Sequence, residues 1–228
     1  LIIAVGIRFS DRLMGDDKSF ASAAKILHID ATPGEISKNV TADMSLIGDV
    51  GKILALLYPL INRRVSSSIP TVTRQHHVIF DIMEELYPDS VYTTDAGPHQ
   101  MMAAKYIRHK SPTRFISCGG LGTMGFGYGA AIGAAMGLGR RVFHITGADS
   151  FHMNLIEAVT AVTYAVPVIS IIFNNRISGK YIQQTVNCGV KGYSCGNTIE
   201  FRKALRKTVE HRGPVWIELK IYEGGFNL

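Results

Sequence analysis

Two apolar runs, residues 141–146 and 166–173, are each followed at once by a polar cluster, Gly147-Ala148-Asp149-Ser150 and Asn174-Asn175. The 24 residues from 150 to 173 have room for one helix and one strand. A strand, a helix and a second strand at that spacing form a right-handed crossover between parallel strands, which brings both polar ends to one edge of a sheet. The rest of the chain repeats the pattern. Strands are expected at 1–5, 25–30, 90–94 and 214–221, and helices at 48–60, 75–86, 154–164 and 199–210, with a Gly-rich loop and helix over 119–138. This alternation predicts an α/β fold of parallel sheets flanked by helices. Ligands in such sheets bind at the carboxyl ends of the strands, so 147–150 and 174–177 are expected to face one crevice.

Composition removes several function classes. With 46% apolar and only 18% charged residues the chain can bury a core and is not a disordered segment. Cys118, Cys188 and Cys195 are few and lack CxxC spacing, which argues against a disulfide scaffold and for a reducing, cytoplasmic setting. Residues 119–139 carry no charge, yet nine of those 21 residues are glycine, with Gly125, Gly129, Gly133 and Gly137 every fourth position. A lipid-spanning helix is built mainly from large apolar side chains, so no membrane span is expected. The net charge of +6 suits an anionic ligand without requiring one. A basic stretch, Phe201-Arg202-Lys203-Ala204-Leu205-Arg206-Lys207, has Phe201, Ala204, Leu205 and Val209 on one helical face, which reads as a solvated helix. It has no aromatic platform or nucleic-acid motif beside it, so no nucleic-acid partner is expected. The chain starts at Leu1 inside an apolar run, without a start Met or signal sequence, and reads as part of something longer.

Asp149 after one strand and Asn175 after its neighbour supply hard oxygen ligands suited to Mg²⁺, which keeps further positions for water and phosphate oxygens. A diphosphate clamp is one reading. A plain βα turn, with Asp149 or Ser150 capping a helix and Asn174-Asn175 in a tight turn, has the same signature.

Five ordered motifs carry a resemblance that goes further. They are Gly6-Ile7-Arg8-Phe9-Ser10-Asp11-Arg12 with Gly15; Ile26-Leu27-His28-Ile29-Asp30 with Pro33, Glu35, Ile36 and Lys38; Gly48-Asp49-Val50; Thr93-Thr94-Asp95-Ala96-Gly97-Pro98-His99-Gln100-Met101; and Ser117-Cys118-Gly119-Gly120-Leu121-Gly122-Thr123-Met124-Gly125. Together with Gly189-Val190-Lys191-Gly192-Tyr193, they resemble the catalytic large subunit of acetolactate (acetohydroxyacid) synthase, a thiamine-diphosphate enzyme that also binds FAD. The resemblance implies half of a Rossmann-like, FAD-contacting middle domain over 1–62, a linker over 63–72 and a thiamine-diphosphate-binding fold over 73–228. It further implies that Arg8, Asp30 and Asp49 contact FAD, and that His99 and Gln100 lie at the thiamine diphosphate. Gly122 and Met124 would lie under the aminopyrimidine, Met124 as an adaptable apolar buttress. Gly147, Asp149, Ser150, Asn175 and Gly179 would complete the cofactor site, and Asp149, Asn175 and the backbone oxygen of Ile177 would ligate Mg²⁺.

The implied reaction is decarboxylation of pyruvate and its joining to a second 2-keto acid, pyruvate or 2-ketobutyrate, in branched-chain amino-acid biosynthesis. The implied partners are a second chain in a homodimer or larger assembly and a regulatory subunit. Several features depart from the family pattern. Its Gly-Asp-Gly-Ser is here Gly147-Ala148-Asp149-Ser150, so the carboxylate comes one residue late, and weakened Mg²⁺ binding is expected. Pro98 replaces a Gln, Lys180 stands where the family has a Met, and Gly129 replaces a common Pro. The segment between Gln184 and Cys188 is much shortened. The N-terminal pyrimidine-binding domain, with the Glu that activates the cofactor, is absent from the chain, which alone is expected not to turn over. Two alternatives remain open, a non-catalytic cofactor-binding relative and the cofactor-domain subunit of a 2-keto acid decarboxylase.

Overall fold

A computed structural model describes residues 1–10, 14, 20–61, 77–108, 111–175, 182 and 188–221. It divides into two compact units, 1–71 and 72–228. The first contains three parallel strands in the order β1 (Ile2–Val5), β2 (Ile26–Asp30), β3 (Met44–Ile47), followed by helix α1 (Val50–Leu57). Asp49 caps α1 by accepting the Lys52 amide at 2.8 Å, which satisfies one of the orphan donors at the helix start. No residue of α1 is buried. The core of this unit is small, built around Ala4, Phe9 and Ile26.

The second unit is a six-stranded parallel sheet. Its order is β5 (Phe115–Ser117), β4 (Val91–Thr94), β6 (Val142–Gly147), β7 (Val168–Asn174), β9 (Val215–Lys220), β8 (Lys191–Cys195). Every residue of β7 is buried, because helices cover both faces of the sheet, as a fully parallel sheet requires. Strand alternation sorts the side chains into two cores. Phe143, Ile145, Ile169, Ile171 and Ile217 pack toward α2 (Val78–Leu86), α3 (Pro98–Tyr106) and α7 (Thr198–Lys207). Val142, Val168, Ile172 and Trp216 pack toward α4 (Phe126–Leu138), α5 (Ala148–Met153) and α6 (Glu157–Thr163).

Several expectations shift. Periodicity puts Val78 on the buried face of α2, whereas Val78 is exposed and Phe80 is buried instead. The helix expected over 154–164 is the shorter α6, and a further short helix that was not expected, α5, starts directly after Gly147. Arg12, Gly15, the linker residues 63–72 and residues 176–180, including Ile177 and Gly179, lie outside the described residues. Among the described residues no helix is long and apolar enough to cross a membrane.

Candidate active site at the strand ends

β4, β6 and β7 are sheet neighbours, and the residues just past their ends line one cavity of about 500 Å³. Its wall includes Ala96, Gly97 and His99 after β4, Met124 before α4, Gly147, Ala148, Asp149 and Ser150 after β6, and Phe173 and Asn175 at the end of β7. Six of the nominated residues therefore meet in one place: His99, Met124, Gly147, Asp149, Ser150 and Asn175. Gln100 and Gly122 are not part of that wall. Arg8, Asp30 and Asp49 belong to the first unit, where Asp30 ends β2 and Asp49 follows β3, at the carboxyl edge of that sheet. Asp30 accepts the Thr32 amide at 2.7 Å.

Gly97 makes the turn into α3 at φ +149°, a conformation that L side chains rarely adopt. It is also where the His99 ring packs: a Cβ on Gly97 would lie 2.6 Å from His99 Cε1, and one on Gly147 would lie 3.1 Å from the same atom. The Nε2 atom of this ring is buried with no partner among the described residues. Burial pushes the His99 ring down to about 4 against the attraction of the Asp95 charge, so it is neutral at pH 7.

Beneath the cavity lies a polar row that the sequence reading missed. Thr93, His144, Ser170 and Trp216 are register neighbours across β4, β6, β7 and β9. Each is fully buried and bonded. Thr93 donates to the Gly127 carbonyl at 2.9 Å, and Trp216 Nε1 donates to the Tyr128 hydroxyl at 3.2 Å. His144 Nε2 lies 2.9 Å from Asp95 Oδ2, and its Nδ1 lies 3.2 Å from Ser170 Oγ. Asp95 also accepts from the Thr146 hydroxyl at 2.6 Å and the Gly127 amide at 2.7 Å. Burial pushes the Asp95 carboxyl up, but these donors outweigh it and hold the group below the usual carboxylate range. The available signal was a His and a Ser inside otherwise apolar strands, aligned only once the register is known.

Residues 1–57 match the thiamine pyrophosphate enzyme central domain, and residues 95–187 match the thiamine pyrophosphate enzyme C-terminal TPP binding domain. The two regions together account for well over half of the chain. It belongs to the thiamine pyrophosphate enzymes. Among its relatives is the probable acetolactate synthase large subunit of Methanocaldococcus jannaschii, 39% identical over 211 residues, an alignment covering 80% of this chain and 36% of that one. Acetolactate synthase isozyme 3 large subunit of Escherichia coli K12 is 35% identical, with 78% and 36% covered. The Pyropia yezoensis acetolactate synthase large subunit is 29% identical, with 98% and 46% covered. The chain thus spans between a third and a half of the curated relatives it matches. A solved structure described as a thiamin diphosphate-dependent enzyme of Mycobacterium smegmatis shares the fold at a TM-score of 0.74 and 21% identity, over 88% of this chain and 44% of that one.

For a thiamine pyrophosphate enzyme, the cavity fits an organic cofactor. Its size suits one, its wall is mostly apolar, and His99 in that wall has a buried nitrogen with no partner among the described residues. The cation half fits poorly. Ala148 is buried at 4% exposure in the apolar cluster under α4, while Asp149 is exposed. The buried position of the turn is thus held by Ala148, and the only carboxylate of this turn stands on its solvent side. Among the described residues no group of three His, Cys, Asp or Glu could hold a metal ion.

Proposed function

We propose that this chain is the cofactor-binding part of an acetolactate synthase-type enzyme, with the cavity at the ends of β4, β6 and β7 receiving the diphosphate end of thiamine diphosphate. The convergence of six nominated residues, from three separate stretches of chain and the turn before α4, on one cavity carries this reading. When bound, thiamine diphosphate supplies the electron sink for decarboxylating one 2-keto acid and joining it to another, pyruvate with pyruvate or 2-ketobutyrate. The chain's own contributions are a buried ring nitrogen at His99, the exposed thioether of Met124 at the cavity rim and the Ser150 side chain of the β6 turn. Asp149 and Asn175 are the cation ligands on this reading, with Ile177 and Gly179 outside the described residues. An exposed carboxylate in place of a buried one weakens Mg²⁺ binding, because water competes for the ion and the ligand is less preorganised.

On the same reading, residues 1–62 are the later part of an FAD-contacting middle domain in which Arg8, Asp30 and Asp49 face the flavin cofactor. Residues 63–72 link it to the thiamine-diphosphate domain, 73–228. The Glu that activates the cofactor belongs to the family's pyrimidine-binding domain, and the assembly is a cytoplasmic homodimer or larger. The buried Ala148 favours a second reading, a relative that binds the cofactor without turning over.

Calorimetric titration of thiamine diphosphate with and without Mg²⁺, with a pyruvate turnover assay on the same sample, tests both readings. Metal-assisted binding without turnover by the lone chain is expected, and Ala148→Asp/Asp149→Gly should bind Mg²⁺ and cofactor more tightly. Absence of cofactor binding in both proteins would overturn the assignment. Equal affinities would overturn the account of the shifted carboxylate.

A further inference from the structure

Ser170, His144 and Asp95 are connected in the order found in serine nucleophile relays, yet all three are fully buried, so no substrate reaches the Ser170 hydroxyl. The cluster does something else. His144 is fixed from every side: it stacks on Tyr128 at 5.3 Å and 16°, packs against Phe151, and is tied to Ser170 on one nitrogen and Asp95 on the other. The Asp95 carboxylate is in turn fastened to β6 through His144 and Thr146, and to the first turn of α4 through the Gly127 amide. Its own amide donates to the Ile145 carbonyl at 3.1 Å. From Asp95 the chain runs directly through Ala96 into Gly97, and Gly97 packs on the His99 ring at the cavity wall.

We propose that His144 is a positioning residue for the candidate cofactor site: by holding the Asp95 carboxylate beneath the cavity, it sets the turn that presents the His99 ring to a bound diphosphate. The role of the cavity rests on the function proposed above, whereas the link from His144 to His99 does not. With Asp95 ionised, His144 must donate through Nε2, which leaves Nδ1 as the acceptor for the Ser170 hydroxyl in the neutral ring. An apolar residue at 144 would remove one of three donors from a buried carboxylate. The Asp95 side chain would then turn to find a replacement and drag the adjoining turn at Gly97, on which the His99 ring packs.

The test uses the full chain. His144→Phe keeps a ring over Tyr128 but has no donor; His144→Gln keeps an N–H donor; Val168→Ala weakens the same core without touching Asp95. Two readouts are taken: the NMR resonances of the His99 ring without ligand, and the affinity for thiamine diphosphate. His144→Phe is expected to shift the His99 resonances and weaken binding about tenfold, the size of one lost hydrogen bond to a charged group. His144→Gln should return both toward the wild-type values, and Val168→Ala should move neither. If His144→Phe does not fold, His144→Leu carries the same comparison. Unmoved His99 resonances in the donorless variant, the same shift in Val168→Ala, or no rescue by Gln would each overturn the proposal. A wild-type chain that binds no thiamine diphosphate would count against the proposed function alone, because the His99 resonances still decide the link to His144.

Discussion

Adding one methyl group to the first turn of α4 should damage the fold far more than adding it one half-turn later. A Cβ on Gly127 would lie 2.7 Å from His144 Nε2, 2.8 Å from His144 Cδ2 and 2.9 Å from the Asp95 amide nitrogen. None of these atoms can yield easily, since one is backbone and the ring is bonded on both nitrogens and stacked on Tyr128. Overpacking of this kind costs about 1–3 kcal/mol. Moving the helix to relieve it stretches the Gly127 amide from the Asp95 carboxylate, a bond to a charged acceptor worth about 1.5–3 kcal/mol. Better helix propensity returns at most about 1 kcal/mol. Gly127→Ala should therefore lose roughly 2–4 kcal/mol, a fall of about 5–15 °C in Tm for a unit of this size. Gly129 meets nothing within 4 Å of its imagined Cβ, so Gly129→Ala is the matched control and should be neutral or slightly stabilising. Thermal unfolding followed by circular dichroism separates the two. Equal melting temperatures would mean that the contact between α4 and the His144–Asp95 pair is not tight, and the reasoning above would fail.

Acid should expose His99. Its ring holds a proton only below about pH 4 when folded, but near 6.5 when unfolded, so the unfolded chain binds more protons between those values. Stability is then fully present above about 6.5 and falls by up to about 3 kcal/mol as pH drops toward 4. Urea unfolding at stepped pH should show this limb in the wild type and a flatter one in His99→Gln; parallel curves would contradict it. The cysteines should also separate. Hydrogen bonding with the Thr123 side chain and backbone holds half-buried Cys118 below the usual thiol range, while burial pushes Cys195 up to about 12. Alkylation at neutral pH, read by mass spectrometry, should modify Cys118 while Cys195 waits for unfolding. Early labelling of Cys195 would show that β8 opens readily.

Long apolar strands announced themselves in the sequence. The expected 141–146, 166–173 and 214–221 correspond to β6, β7 and β9 within two residues at each end. Of the short strands at sheet edges only β1, an unbroken apolar run, was expected; β3, β5 and β8 were not, because three to five residues of mixed polarity carry too little periodicity. The cavity residues at 147–150 and 174–175 were legible because the chemistry of strand ends is local: a polar cluster directly after an apolar run is visible without a partner, whereas His99 and Met124 were reached only through the family resemblance. The supports beneath them are not local. His144 looks like an interruption of a strand until Asp95 and Ser170 are placed 2.9 and 3.2 Å away, at chain separations of 49 and 26 residues. Asp149 is the reverse case. Its residue type is right, but burial of Ala148 in its stead depends on the helix starting immediately after Gly147.

The sheet order also sets when this chain can first hold a ligand. The cavity wall draws on residues from Ala96 to Ile221, and its floor exists only after β4 has paired with β6 and β6 with β7. Those contacts close long loops, so they form late and together rather than one by one. A ligand added to a refolding chain finds nothing to grip and cannot act as a template. Its binding energy is delivered only to the finished sheet, where it appears as slower unfolding, with the folding rate unchanged.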